Sequence, residues 1–431
     1  MKTAKFGGSS LCDGKSVEQV LSIVKSDEMI HIVVPSAPGK RFGSDTKVTD
    51  LLIDLYNDKD VFDEIKSRYN DIIEYLQLNL DLSEEYNEIK SNLESGTTLD
   101  YIASRGEYLN GLIVANALGY KFINPADVII FDENRQLMFK KTLELISNAY
   151  NGEPSVVPGF FGANEKGEII TFSRGGSDIT GSLCAAAIQA DIYENWTDVS
   201  GFFMADPRIV PDAINIDEVS YKELRELSYM GAGVLHEESI FPVRKMEIPV
   251  HIKNTNAPQD KGTLIIPISK MSPHTRPITG VAGKKGFAVI TIEKARMNNE
   301  VGFARKILSV LENNGISIEH MPTGIDTLSI VLSEDMIKTN ADLVIEELRN
   351  VSNADFIDIS YNMALIATVG HGMEQHTGSA AKIFTSLSDN KINIRMIDQG
   401  SSELNIIVGV EEADYENAVK SIYYAFADLC K

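Results

Sequence analysis

Through the first two-thirds of the chain, short runs of β-branched residues alternate with longer amphipathic stretches, and this alternation restricts the fold more than any other feature. Ile30-His31-Ile32-Val33-Val34 reads as a buried strand that ends at Pro35. Residues 127–131 and Ser155-Val156-Val157, halted by Pro158, read the same way, and residues 51–73 and 99–118 between them have helical spacing. Such a succession packs as a mainly parallel sheet with helices on both faces, a three-layer α/β sandwich. Residues 58–95, rich in Asp, Glu, Lys and Tyr, predict a helical insertion on the surface of that sandwich.

Near Ser272-Pro273-His274-Thr275-Arg276-Pro277 the pattern changes, as at a linker. Beyond it the elements shorten and repeat. Strand 287–292, helix 301–313, strands 316–319 and 327–332, helix 341–349 and strand 354–359 form one set. Strand 364–369, helix 378–387, strands 392–396 and 404–410 and helix 415–429 form the next. That order predicts two tandem βαββαβ units. The expected boundaries are 1–275 for the large domain, then 278–362 and 363–431 for the units. Each unit is too small for much stability alone, so it must pack on its neighbour or on a partner chain.

A chain of 431 residues exceeds what one hydrophobic core serves, which agrees with this division. With 43% apolar and 24% charged residues it has the composition of a folded globular protein. The net charge of −22 disfavours nucleic acid and anionic membrane as partners. No apolar run approaches the roughly 20 residues that span a bilayer, and Met1-Lys2-Thr3-Ala4-Lys5-Phe6-Gly7-Gly8 lacks the apolar stretch of a secretory leader. Cys12, Cys184 and Cys430 are odd in number and far apart, which suits a reducing cytoplasm and neither a disulfide framework nor a zinc site.

Three segments concentrate groups suited to a phosphorylated ligand. Lys5-Phe6-Gly7-Gly8-Ser9-Ser10 ends the first possible strand; paired glycines let backbone N–H groups approach phosphate oxygens, and the lysine adds fixed charge. Alone, a Gly-Gly pair after a strand is more often just a turn, and no Walker P-loop occurs. In Arg174-Gly175-Gly176-Ser177-Asp178, Ser177 or Asp178 is placed to cap a small-residue helix whose N-terminus attracts anions. Arg174 can grip a carboxylate through two hydrogen bonds. Trp196-Thr197-Asp198 ends a strand with polar groups at its carboxyl edge, where α/β proteins bind nucleotides, and Asp206-Pro207-Arg208 is a turn that presents a base.

These segments, with Arg105-Gly106-Glu107 and Gly159-Phe160-Phe161-Gly162, occur in the order found in aspartate kinases, and the chain resembles that family over nearly its whole length. The tandem units resemble a pair of ACT regulatory domains. The resemblance implies the amino-acid-kinase fold, shared with carbamate and acetylglutamate kinases. It also implies the reaction: ATP phosphorylates the side-chain carboxylate of L-aspartate to 4-phospho-L-aspartate, the first step of lysine, threonine and methionine biosynthesis. By the same resemblance, Lys5 contacts the transferring phosphate, Asp178 orients Lys5, and Gly7, Gly8 and Ser9 surround the phosphates. Thr197, Asp198, Phe203 and Arg208 match contacts to adenine, ribose and phosphate. Ser36, Thr49, Glu107, Arg174 and Ser177 match aspartate-binding positions, with Glu107 facing the α-ammonium group. Mg²⁺ is expected with ATP, on phosphate oxygens and water rather than a protein site. The chain is expected to carry this activity alone, with no homoserine dehydrogenase region after residue 431, as a homodimer or a dimer of dimers through the ACT units.

The sequence departs from the family at several places. Gly233, in Gly231-Ala232-Gly233-Val234-Leu235-His236, stands where many relatives have a phosphate-binding lysine, and Arg208, Lys5, Lys40 or Arg41 are the candidates to carry that charge instead. Phe203 replaces a frequent tyrosine, Asn110 a common serine, and Phe172-Ser173 the usual Leu-Gly. In the first ACT unit the resemblance assigns Met297, Glu300, Gly302, Ser317 and Glu319 to a feedback effector. Lysine suits that acidic setting better than threonine. The family topology also offers strand 287–292 to the second ACT sheet, with the other unit inserted between. Two rival readings stand beside the leading one: a kinase of the same fold acting on another carboxylate, and a non-catalytic amino-acid sensor silenced by the loss of lysine at Gly233.

Overall fold

In the computed structural model, which describes residues 1–430 other than 174, 234, 236 and 273–275, the chain forms two units. The first comprises Met1–Phe202, Asn215–Leu224 and Val234–Ser272, and the second Phe203–Ile214, Arg225–Gly233 and Pro273–Lys431.

The strands of the first unit are β1 (Lys2–Phe6), β2 (Ile30–Pro35), β3 (Lys121–Phe122), β4 (Ile130–Phe131), β5 (Ser155–Val156), β6 (Phe161–Asn164), β7 (Ile169–Thr171), β8 (Ile192–Thr197), β9 (Glu218–Ser220), β10 (Val250–Asn254) and β11 (Thr263–Ile266). Eight of them make one sheet in the order β3-β5-β2-β1-β8-β10-β11-β9, parallel except where β10 meets β11, and β4, β6 and β7 make a second small sheet. Central β1 is buried on both faces. Ala4 and Phe6 enter a core with Val17, Val20, Leu109 and Ile113, so by strand alternation Thr3 and Lys5 leave by the other face. The helix Gly176–Ala187 packs against β1, β2 and β8 there. Residues 58–95 hold the helices Phe62–Tyr75 and Ser83–Glu94, whose Ile65, Tyr69, Ile72, Tyr86 and Ile89 join the main core.

Two expectations change here. Residues 127–131 are not one strand: Asn124 caps a short helix, Pro125–Val128, with Pro125 at its start, and only Ile130–Phe131 pairs. An Asn-Pro start favours a helix over the β propensity that follows it. Residues 51–73 break into the helices Val48–Tyr56 and Phe62–Tyr75, with Asp58 in the left-handed region at φ 60° between them.

The second unit contains β12 (Gly280–Glu293), β13 (Thr327–Ser333), β14 (Phe356–Val369), β15 (Met396–Asp398) and β16 (Asn405–Glu411), an antiparallel sheet in the order β13-β12-β14-β16-β15. β12 and β14 are 14 residues each and run through both halves of it. Phe287–Glu293 pairs with β13 and with the first half of β14, whereas Gly280–Lys284 pairs with its second half, beside β16. The register shifts between Lys284 and Phe287, where Gly286 takes φ 85°. Residues 316–319 form no strand, because Glu319 and His320 both donate backbone N–H groups to the Val331 carbonyl and break the ladder. The strand expected at 392–396 lies at Met396–Asp398. Among the described residues no helix is long and apolar enough to cross a membrane.

Candidate active site

β1, β2, β5 and β8 are parallel, so their carboxyl ends share one edge of the sheet. That edge is where open α/β sheets bind ligands. Lys5 lies near the end of β1, in register with Asn195 on β8 and Val34 on β2. Its ammonium stands 2.6 Å from Asp178 Oδ1, with both side chains largely buried. Asn195 Nδ2 donates to the same oxygen at 2.8 Å. The expected cap by Ser177 or Asp178 is not formed. Gly175, at φ 59°, caps the helix Gly176–Ala187 and leaves both residues inside its first turn, which frees the Asp178 carboxylate for Lys5.

Beyond Lys5 the chain makes a tight cradle. Gly7 N–H donates to the Trp196 carbonyl at 3.0 Å, and Gly39 N–H to the Gly8 carbonyl at 2.8 Å. A β-carbon on Gly8 would lie 2.8 Å from the Ala37 carbonyl oxygen, and one on Gly39 would lie 2.7 Å from the Gly8 backbone. Only paired glycines allow the two loops to meet this closely. Ser9 is at the rim, and less buried than Ser10 beside it.

The described residues expected to bind aspartate lie on or near the loop after β2. Ser36 donates its N–H to the Phe6 carbonyl at 3.0 Å, and its carbonyl accepts from Asn110 Nδ2 at 2.7 Å. Glu107 is 4% exposed, and its carboxylate accepts from the Ala37 backbone. Burial pushes its pKa up to about 8. Its Oε2 and the Oδ1 of Asn110, one turn further along the helix Leu99–Leu118, are buried acceptors without a partner among the described residues. Two open acceptors on one helix face suit a ligand rich in donors, such as an ammonium group. Gly106 lies against Ala37, with the Thr49 methyl 3.8 Å from the position of its missing β-carbon. Ser177 is buried under Gly159, where a β-carbon would come within 2.4 Å of its Oγ. Arg174 lies outside the described residues.

Of the nucleotide set, Thr197 and Asp198 end β8, where the Thr197 hydroxyl donates to Asp198 Oδ1 at 3.3 Å. Phe203 and Arg208 belong to the Phe203–Ile214 segment of the second unit, and Arg208 is exposed and pairs with Asp206 at 2.6 Å. Gly233 ends the Arg225–Gly233 segment of that unit. Among the described residues no cluster of His, Cys, Asp or Glu is arranged to hold a metal ion.

Sequence reasoning missed two residues that shape this edge. Asn195 supports Asp178, but only strand register reveals it. Arg68, 2% exposed in the helical insertion, bonds Asp45 Oδ2 (3.1 Å) and the carbonyls of Thr46 (3.0 Å), Cys12 (3.2 Å) and Gly39 (2.6 Å), and so fixes the loop between Ser36 and Thr49.

The positions expected to hold an effector flank the helix Phe303–Asn313 along the chain. Gly302 takes φ 81° at its start, and Met297 is buried. Glu300 is bridged by Lys294 (2.5 Å) and Lys306 (2.6 Å), which hold its carboxyl below the usual range. Ser317 is exposed and contacts the Met336 sulfur, and Glu319 accepts a hydrogen bond from the Tyr229 hydroxyl.

Known proteins resemble the chain over nearly its whole length. The pattern of the amino acid kinase family matches residues 3–254, and that of an ACT domain matches residues 366–426. Aspartokinase 3 of Bacillus subtilis is 38% identical over 449 residues, covering 99% of this chain and 98% of the relative. The crystal structure of Clostridium acetobutylicum aspartate kinase superposes with a TM-score of 0.95 at 52% identity, covering 99% of this chain and 100% of that one. E. coli aspartokinase III in complex with lysine and aspartate superposes with a TM-score of 0.75 at 25% identity, covering 99% of each chain. With the kinase pattern over residues 3–254, a relative 38% identical along nearly its whole length and a superposition at TM-score 0.95, the chain belongs to the aspartate kinases of the amino acid kinase family.

Proposed function

We propose that the chain transfers the γ-phosphoryl group of ATP to the side-chain carboxylate of L-aspartate, giving 4-phospho-L-aspartate, and that lysine inhibits it through the ACT units. The observation that carries this reading is the Lys5 ammonium, paired with an Asp178 carboxylate that Asn195 holds in place, beside the Gly7–Gly8 cradle. An aspartate carboxylate is already a competent nucleophile, so catalysis needs positioning and charge neutralisation rather than a covalent enzyme intermediate. One carboxylate oxygen of the substrate attacks the γ-phosphorus, the bond to the β-phosphate oxygen breaks, and ADP leaves. Lys5 offsets charge on the transferring group, while N–H groups of Gly7, Gly8 and Ser9 donate to phosphate oxygens. Mg²⁺ accompanying the nucleotide would add positive charge to that of Lys5.

Glu107 and Asn110 receive the α-ammonium of aspartate in this reading, with Ser36, Thr49, Arg174 and Ser177 around its carboxylates. Thr197, Asp198, Phe203 and Arg208 serve the nucleotide. Lysine is the effector we favour, since E. coli aspartokinase III was crystallised with lysine and aspartate. Its ammonium would exchange with Lys294 or Lys306 at Glu300, near Met297, Gly302, Ser317 and Glu319. The protein would act in the cytoplasm, as a dimer or dimer of dimers through two ACT regions at about 278–362 and 363–431.

The test is ATP-dependent formation of β-aspartyl hydroxamate, with and without lysine or threonine, beside a Lys5→Ala control. Turnover with aspartate that is lost in Lys5→Ala and suppressed by lysine is the expected result. Turnover only with another carboxylate, or no Mg-ATP binding at all, would defeat the reading.

A further inference from the structure

Uncommitted positive charge is scarce around the phosphate cradle. Lys5 is paired with Asp178 at 2.6 Å. Arg41 is spent on Asp45, through Nε and Nη2 at 3.0 Å each. Arg68 divides its guanidinium between Asp45 and three backbone carbonyls. A chain of net charge −22 must nevertheless hold a triphosphate here, and such ligands are held by charge-assisted hydrogen bonds.

Lys40 is not committed in this way, and of the exposed lysines on this loop, Lys40 and Lys47, it is the one bonded directly to Gly39. It is exposed, and its side chain makes no ion pair or hydrogen bond among the described residues. Its neighbour Gly39 is pressed on the cradle: its N–H donates to the Gly8 carbonyl at 2.8 Å, and a β-carbon on it would lie 2.9 Å from Ser9 N. Lys40 Cα follows Gly39 Cα by about 3.8 Å, which leaves an anion seated on the Gly7–Ser9 backbone within the length of a lysine side chain that turns toward it. The loop is also fixed. Arg68 holds the Gly39 carbonyl at 2.6 Å and the Thr46 carbonyl at 3.0 Å, and Asp45 closes the turn on Arg41 N–H at 2.9 Å. An exposed cation on a pinned loop loses less freedom on binding than one on a mobile loop.

We propose that Lys40 binds the phosphates of ATP and supplies the charge that Gly233 lacks. The assignment rests on the reading of Gly7–Ser9 as the phosphate cradle, and the test separates the two. Full-length Lys40→Ala, Lys40→Arg and Gly8→Ala proteins are compared with the parent in KM for ATP, KM for aspartate, kcat, and inhibition by ADP and by adenosine. Loss of one charge-assisted hydrogen bond should raise KM for ATP about ten-fold in Lys40→Ala and weaken ADP to a similar degree. Adenosine inhibition and KM for aspartate should stay within about two-fold, Lys40→Arg should recover most of the loss, and the melting temperature should not move. An unchanged KM for ATP in Lys40→Ala, or an equal loss for adenosine, overturns the assignment. If Gly8→Ala weakens ATP while Lys40→Ala does not, only Lys40 is excluded. If neither variant affects nucleotide, the cradle reading falls with it.

Discussion

Asp178 Oδ1 takes two donors at once, the Lys5 ammonium at 2.6 Å and the Asn195 amide at 2.8 Å. Asn195 therefore fixes the carboxylate that fixes the lysine, and the three groups should fail in graded order. Lys5→Ala should lower kcat about a thousand-fold and Asp178→Asn about a hundred-fold, the range seen when a preorganised charge or donor is removed. Asn195→Ala leaves the ion pair but loosens it, and about a ten-fold loss is expected. Hydroxamate turnover measures all three, and an Asn195→Ala enzyme as fast as the parent would show that the register contact is idle.

Glu107 gives a pH dependence with a definite sign. Its folded pKa, raised to about 8 by burial, lies above the ordinary value of 4.5 that it regains in an unfolded chain. Between those values the empty folded protein holds a proton that the unfolded chain has lost, so stability falls as pH rises, by about 1.4 kcal/mol per pH unit at most. The loss begins above the unfolded value and is complete above about 8. Glu107→Gln should flatten this slope in urea titrations from about pH 5 to 8. Binding of an ammonium group favours the ionised carboxylate, so kcat/KM for aspartate should rise with pH up to about 8 in the parent and much less in Glu107→Gln.

Local grammar reveals the cradle but not its supports. Gly7 and Gly8 follow a strand directly, and that pattern carries its physical reason within a few residues. Asn195 depends on the pairing of β1 with β8, which no local spacing encodes. Arg68 sits in a polar helical stretch that reads as solvated, yet it reaches carbonyls on separate loops that meet only when the chain folds. The cap expected at Ser177 or Asp178 fails for a similar reason: cap propensity favours Ser and Asp, but Gly175 takes the left-handed turn at φ 59° and starts the helix before them. Only the second half of β12 reads as a strand, and β14 reads as two, because β13 flanks β12 and β16 flanks β14 over one half each while the two long strands pair with each other throughout.

Gly159 and Ser177 give a steric prediction. A β-carbon on Gly159 would fall 2.4 Å from Ser177 Oγ and 2.7 Å from its Cα, too close for any rotamer change to relieve. Gly159→Ala should therefore shift the start of the helix Gly176–Ala187, cost about 1–3 kcal/mol of stability, and raise KM for aspartate more than KM for ATP. Equal effects on both substrates would mean that Ser177 has no part in aspartate binding.

Arg68 carries the strongest stability prediction, because its loss strands several buried groups together. Asp45, 7% exposed, would keep only Arg41, and the carbonyls of Cys12 and Gly39 would lose their bond to the guanidinium. Breaking a buried ion pair on one side typically costs about 3–5 kcal/mol, and Arg68→Ala should fall in that range by urea denaturation. Lysine cannot reproduce the planar fork that serves Asp45 and Thr46 with one nitrogen and Cys12 and Gly39 with the other. Arg68→Lys should therefore recover less than half of the loss. The released Gly39–Thr46 loop should also raise KM for ATP even where the variant remains folded. An Arg68→Lys protein with parental stability and KM would show that the helical insertion does not hold this loop.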